Sequence, residues 1–248
     1  MNADSPAPVF LTAEWRHLVM LNYEIEPEIL KARVPAGTEL DFWNGKTLAS
    51  MVGFLFQNTR VRRIPIPFHR HFEEVNLRFY VRRRTADGWR RGVVFIKELV
   101  PRRAIAWTAR TFYHEPYLAL PMSHQITTRS GRPEEVESAA YCWRYNGREN
   151  ALRLITRGGA LAPAENSEAA FITEHYWGYT SRRDGATQEY RVEHPRWRIQ
   201  EAASAELHGD AAGLYGEALG RALNSAPRSA FLAEGSAVKV HGGVRLKT

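Results

Sequence analysis

The stretch Glu74-Val75-Asn76-Leu77-Arg78-Phe79-Tyr80-Val81-Arg82-Arg83-Arg84, followed by Ala86-Asp87-Gly88, decides the class of fold. Val75, Leu77, Phe79 and Val81 alternate with Glu74, Asn76, Arg78, Tyr80 and Arg82. A period of two is the signature of a strand with one face against a core, and Ala-Asp-Gly is turn chemistry. Residues 89–100 then supply the second strand of a hairpin. Working outward, residues 104–114 read as a third strand after Pro101, and 14–24 as an earlier one. Further strand-like stretches fall at 139–145, 151–157, 170–180, 190–199 and 237–246, each set off by Gly, Asn, Asp or Pro. Helical signals are few. Pro27 opens a short helix to Arg33 that Pro35 ends. Asp210 caps a helix over 211–223 that Gly213, Gly216 and Gly220 weaken. The pattern predicts a mainly β fold with a few helices (α+β), built on a large antiparallel sheet that curls or closes.

The chain has 248 residues, 44% of them apolar and 11% aromatic, enough for a sizeable core. No repeat or linker divides it, so a single domain over 1–248 is expected, with residues 1–9 flexible. Residues 1–8 show no basic start followed by an apolar run, charges interrupt every apolar stretch, and Cys142 is the single cysteine. These features exclude a disulfide framework and point to the cytoplasm rather than a membrane. The net charge of +7 raises nucleic acid as a partner. Its arginines are spread along the chain, however, apart from Arg60, Arg62 and Arg63 and the group around the hairpin turn, which disfavours that reading.

Several segments together resemble the YqjF-like family, a relative of acetoacetate decarboxylase. They include Leu21-Asn22-Tyr23-Glu24-Ile25, Val34-Pro35-Ala36-Gly37-Thr38-Glu39-Leu40-Asp41, Pro67-Phe68-His69, Phe72-Glu73-Glu74-Val75-Asn76, Glu174-His175-Tyr176-Trp177-Gly178-Tyr179, His194-Pro195-Arg196-Trp197 and Ser229-Ala230-Phe231-Leu232. The resemblance implies a highly curved β barrel of the acetoacetate-decarboxylase-like type with peripheral helices and a buried pocket. It also implies that the two lysines of the decarboxylase site correspond to Tyr117 and Leu118. Neither residue can form an imine, so the decarboxylase reaction is not carried over.

Glu74, Asn76 and Arg78 share one strand face. Facing a barrel interior, they would hold a small polar ligand, the guanidinium gripping a carboxylate; the competing reading is a solvated face, favoured for Tyr80 and Arg82. Arg110 and His114 share another face, beside Tyr113 and Tyr117. Glu74, Arg110 and His114 are the candidate acid, base or electrostatic groups, and Arg16, Tyr113, Tyr117 and His175 complete the candidate lining. Lys97, inside a core strand, is the one lysine placed for imine chemistry, against an ion pair or a place on an exposed strand face. His69, His71 and Glu73 have ligand spacing, but no second cluster accompanies them, so no metal is expected, and no cofactor motif is present. The expected function is therefore a pocket for a carbonyl- or carboxylate-bearing small molecule. Any catalysis would be lyase- or hydrolase-like without the lysine; the alternatives are a ligand-sensing or interaction protein and, behind both, nucleic-acid binding. A closed homo-oligomer is the prior for such a protein.

Overall fold

The computed structural model describes residues 7–65, 69–102 and 116–246. Its strands are β1 (Val9–Glu24), β2 (Glu39–Leu40), β3 (Leu48–Val61), β4 (Ile64–Pro65), β5 (Phe72–Thr85), β6 (Gly88–Val100), β7 (Tyr117–Ala119), β8 (Met122–Arg129), β9 (Arg132–Tyr145), β10 (Arg148–Leu161), β11 (Trp177–Ser181), β12 (Thr187–Glu193), β13 (Ile199–His208), β14 (Ser229–His241) and β15 (Val244–Arg245). Short helices α1 (Pro27–Lys31), α2 (Glu168–Thr173), α3 (Ala211–Tyr215) and α4 (Glu217–Leu223) lie between them. The hairpin of β5 and β6 forms as its alternation predicts, closing through Thr85 and Gly88.

All the strands join in one sheet. Because β12 pairs with both β11 and β14, the strands β12, β11, β6, β5, β3, β1 and β14 make a ring. From β14 the sheet runs on through β13, β10, β9 and β8 as a wing. The wing packs back against the outside of the ring, so Tyr141, Trp143 and Leu152 share a core with Val19, Met51 and Leu77. Gly53 permits this approach, since a Cβ there would lie 2.7 Å from the Tyr141 ring.

The sheet is mixed rather than antiparallel. β6 pairs in parallel with β7 and with β11. Parallel neighbours need long connections, and residues 101–116 supply one between β6 and β7. The predicted strand over 104–114 lies outside the described residues.

Other expectations change in detail. β1 begins at Val9, which pairs with His241. The predicted strand over 170–180 opens instead as helix α2, where the Ser167 hydroxyl accepts the Ala170 N–H at 3.2 Å. Removing that cap by Ser167→Ala is expected to lower stability by about 1 kcal/mol, a fall of roughly 2–4 °C in a thermal melt. The predicted strand over 190–199 breaks at Pro195 into β12 and β13. β13 carries Glu201-Ala202-Ala203-Ser204-Ala205-Glu206, good helix formers that β10 recruits as a strand, a tertiary override of propensity. The predicted helix over 211–223 is capped by Asp210 but breaks at Gly216, whose φ of 89° lies in the left-handed region.

Two cores result. One fills the space between ring and wing, and helices α3 and α4 close it with Leu214 and Leu219. The other lies inside the ring around Leu18, Val52, Phe54, Phe56, Phe72 and Val93. On β5 the apolar face, Val75, Leu77 and Phe79, belongs to the outer core. The polar face is therefore the one enclosed by the ring. Among the described residues no helix is long and apolar enough to cross a membrane.

Candidate functional site

Inside the ring lies a cavity of about 210 Å³ whose lining includes Glu74, Asn76 and Arg78 on β5, Glu98 on β6, Tyr117 on β7 and His175 after α2. Glu74, Asn76 and Glu98 expose only 2% of their surface each. Asn76 Nδ2 donates to Glu74 Oε1 and Tyr117 OH to Glu74 Oε2, both at 3.0 Å. Tyr117 also interacts with Glu98, which joins the two buried carboxyl groups through one phenol. Burial raises the Glu74 pKa to about 7, against the lowering effects of Asn76, Tyr117 and the Arg78 charge. Near neutral pH Glu74 thus exchanges a proton readily, as a general acid or base requires.

Glu98 was not among the candidates, and its place depends on one irregularity. Arg78 pairs with Phe95 but Leu77 pairs with Lys97, so β6 carries one extra residue at this point. Such a bulge swaps the faces of everything after it. Unbroken alternation from Val93 and Phe95 would send Lys97 inward and Glu98 outward. Instead Glu98 lines the cavity. Lys97 Nζ hydrogen-bonds the Leu214 carbonyl oxygen at α3, on the outer side, where burial lowers its pKa.

A second polar group borders the same space. Arg91 Nε donates to Asp41 Oδ2 at 2.7 Å, and His175 Nε2 lies 3.1 Å from the same oxygen. Burial opposes ionisation of Asp41, but its hydrogen bonds from His175 and Arg91 outweigh it and hold the carboxyl below its usual pKa. An ionised Asp41 selects the tautomer with hydrogen on Nε2, leaving Nδ1 as an acceptor. Burial lowers the His175 pKa to about 4, against the opposing hydrogen bond to Asp41, so the ring is neutral at pH 7.

Five buried polar atoms of this lining have no hydrogen-bond partner among the described residues: Asn76 Oδ1, Arg78 Nε and His175 Nδ1, and also Trp15 Nε1 and Thr59 Oγ1. Among the described residues Arg78 makes a marginal hydrogen bond, from NH2 to the Ile172 carbonyl at 3.5 Å, and lies 5.9 Å from the Tyr80 ring centre. Buried polar groups are almost always paired, so a cluster of unpaired ones in a cavity marks where another molecule sits.

Of the remaining candidates, Arg16 does not line the cavity. Alternation on β1 turns Trp15 inward and Arg16 outward, where it pairs with Glu14 at 2.6 Å. Tyr80, read as solvated, is buried with its hydroxyl on Ser50 at 2.5 Å, while Arg82 is partly exposed and pairs with Glu39. His175 and Trp177 line the cavity, while Tyr179 packs in the outer core. Arg110, Tyr113 and His114 lie outside the described residues. His69, His71 and Glu73 do not converge: His69 lines the cavity, His71 is exposed and Glu73 pairs with His124 at 2.7 Å. Among the described residues no group of three or more His, Cys, Asp or Glu is placed to hold a metal.

A ring of strands around a cavity, flanked by a wing and small helices, is the acetoacetate-decarboxylase-like fold. Acetoacetate decarboxylase from Legionella pneumophila subsp. pneumophila str. Philadelphia 1 superposes with a TM-score of 0.66 at 13% identity, covering 98% of this chain and 90% of its own. The enduracididine biosynthesis enzyme MppR, complexed with pyruvate, gives 0.65 at 14% identity, covering 99% and 93%. An acetoacetate decarboxylase-like enzyme from Sphingomonas wittichii RW1 gives 0.64 at 12%, covering 97% and 94%. At these identities the likeness establishes the fold. Residues 12–237 match the DUF2071 family, described as "Uncharacterized conserved protein (COG2071)", and the chain belongs to that family. It is also 32% identical over 191 residues to "Uncharacterized protein YqjF" of Bacillus subtilis (strain 168), covering 76% of this chain and 74% of that protein.

Proposed function

We propose that the ring interior binds a small organic molecule through a carboxylate or carbonyl group and does so without forming an imine. The observation that carries this reading is the set of buried, unpartnered atoms Asn76 Oδ1, Arg78 Nε and His175 Nδ1 on one cavity. A guanidinium N–H supplies the donor a carboxylate or carbonyl oxygen needs, and Glu74 in its protonated form supplies a second. Acceptors for a ligand hydroxyl or enol remain at Asn76 Oδ1 and His175 Nδ1. Among the described residues no lysine lines the cavity, and Lys97 is engaged on the opposite face of β6.

Nucleic-acid binding receives less support. The arginines around the hairpin turn are occupied within the chain: Arg83 and Arg90 pair with Glu189, Arg91 with Asp41, and Arg82 lies over the Trp89 ring at 4.3 Å.

Pyruvate, which combines both groups and is held by the fold relative MppR, is the first probe. Calorimetric titration is expected to show binding that Arg78→Met weakens by roughly 10–100-fold, the worth of a charge-assisted hydrogen bond. Unchanged affinity in that variant would remove Arg78 from the site. Borohydride is expected to leave the protein unmodified in the presence of pyruvate or acetoacetate, and a trapped adduct on any lysine would overturn the non-imine reading.

A further inference from the structure

On the β5, β3 and β1 walls of the cavity the side chains change character in a regular order, from Arg78, Asn76 and Glu74 to aromatic and aliphatic residues. On β5 the inward residues run Arg78, Asn76, Glu74 and then Phe72. Register aligns Asn76 with Val52, Glu74 with Phe54 and Phe72 with Phe56 on β3, and Phe56 in turn with Trp15 on β1. Farther along, Val61 on β3 pairs with Leu11. From the level of Phe72 to that of Leu11 the cavity wall on these three strands carries no charged side chain, and Trp15 Nε1 and Thr59 Oγ1 are its polar atoms. Glu74 and Asn76 are buried, whereas Arg78 at one end of this wall and Phe10, Leu11 and Val61 at the other are half-buried, as is His69 of the lining. Below the polar level, Met20, Leu48, Tyr80, Phe171 and Phe231 fill the ring.

Resting on the reading of this cavity as a carboxylate or carbonyl site, we propose that its ligand is an amphiphilic monocarboxylic acid. The carboxylate head sits beside Arg78, Asn76 and Glu74, and an alkyl or aryl tail extends along the Phe54, Phe56, Phe72 and Trp15 wall toward Leu11 and Val61. A compact acid such as pyruvate supplies an acceptor to Arg78 and leaves the aromatic wall uncovered. A purely apolar molecule covers the wall but offers no acceptor to the Arg78 Nε–H, which stays buried without a partner. Only a molecule with both parts complements both ends. Close packing of the head against Glu74 is compatible with a carboxylate because that side chain carries its proton at slightly acidic pH.

The test is calorimetric titration of the full chain at pH 6.5 with pyruvate, acetate, butanoate, hexanoate and octanoate, with phenylacetate and 3-phenylpropanoate, and with octan-1-ol. Affinity is expected to rise roughly fourfold for each added methylene from butanoate upward until the wall is covered. The heat capacity change should be negative and grow with the tail. Octan-1-ol should bind at least tenfold more weakly than octanoate. The relative strength of the alkyl and aryl acids tells which tail the wall prefers. A flat series, in which pyruvate and acetate match octanoate, overturns the tail and leaves the carboxylate site standing. Binding of pyruvate with no binding by the longer acids does the same. Octan-1-ol binding as tightly as octanoate overturns the head, and with it the carboxylate reading. No binding by any acid overturns both.

Discussion

Glu74→Gln is expected to gain stability over the parent protein as the pH rises from about 4.5 to 7, the gap reaching about 3 kcal/mol and then levelling. The folded pKa of Glu74 is raised to about 7 from an ordinary 4.5. Between those values the folded state holds a proton that the unfolded state releases. Stability from this group is therefore present at low pH and is lost as the pH climbs through the folded value. Glutamine is nearly isosteric with the protonated acid and has no such loss. His175, with its pKa lowered to about 4, acts in the opposite sense: its unfolded form takes up a proton below about pH 6.5, which destabilises the fold on acidification. His194, lowered to about 4 by burial, adds to this effect. Both contributions are common to the two proteins and cancel in the difference. Urea unfolding from pH 4.5 to 8 measures it, and a gap independent of pH would show that Glu74 ionises normally. The same proton links to binding. A carboxylate ligand should bind more tightly as the pH falls through 7, because its own charge then meets a neutral Glu74.

Asp41→Ala is expected to destabilise the fold by roughly 3–5 kcal/mol, which in a chain of this size lowers the melting temperature by about 6–20 °C. Asp41 is the acceptor for both Arg91 Nε and His175 Nε2. The His175 side chain is 1% exposed. Alanine would strand its N–H and free its tautomer, so the Nδ1 acceptor in the cavity would be lost together with stability. Asp41→Asn keeps an oxygen for one donor and should fall between alanine and the parent. Equilibrium denaturation gives the size of the effect, and a loss below about 1 kcal/mol would mean that the Arg91-Asp41-His175 group contributes little to the fold.

The hairpin was legible because alternation is local. Val75 to Val81 and the Asp87-Gly88 turn need nothing beyond neighbouring residues to declare themselves. The cap at Asp210 was legible for the same reason, since its partner, the Gly213 N–H, lies three residues on. Ser167 carried the same kind of signal in Ser-Glu-Ala-Ala, and the aromatic run from Tyr176 to Tyr179 obscured it. β13 was hidden for a different reason. Its composition favours helix, and only pairing with β10 makes it a strand. At the site, Glu74, Asn76, Arg78 and Tyr117 could be named from their strand face and from the family resemblance. Arg16 could not be placed, because β1 changes register between Arg16 and Val19 and His17 sits at a φ of 55°.

What the sequence determined by itself is periodicity: a β-rich chain and a strand with a polar face carrying a carboxylate, an amide and a guanidinium in fixed order. Periodicity says which side chains share a face. It does not say which face is enclosed. That was decided by closure of the ring through β12 and β14 and by the wing folding over the outside, which together bury the apolar face of β5 in one core and its polar face in a cavity. The bulge in β6 is a matter of register with its hairpin partner β5, which the period of either strand leaves open. It exchanges Lys97 for Glu98 at the cavity, turning a wall that alternation would equip with an amine into one with a second carboxyl. Ring closure depends on contacts between strands far apart in the chain, which no local pattern encodes.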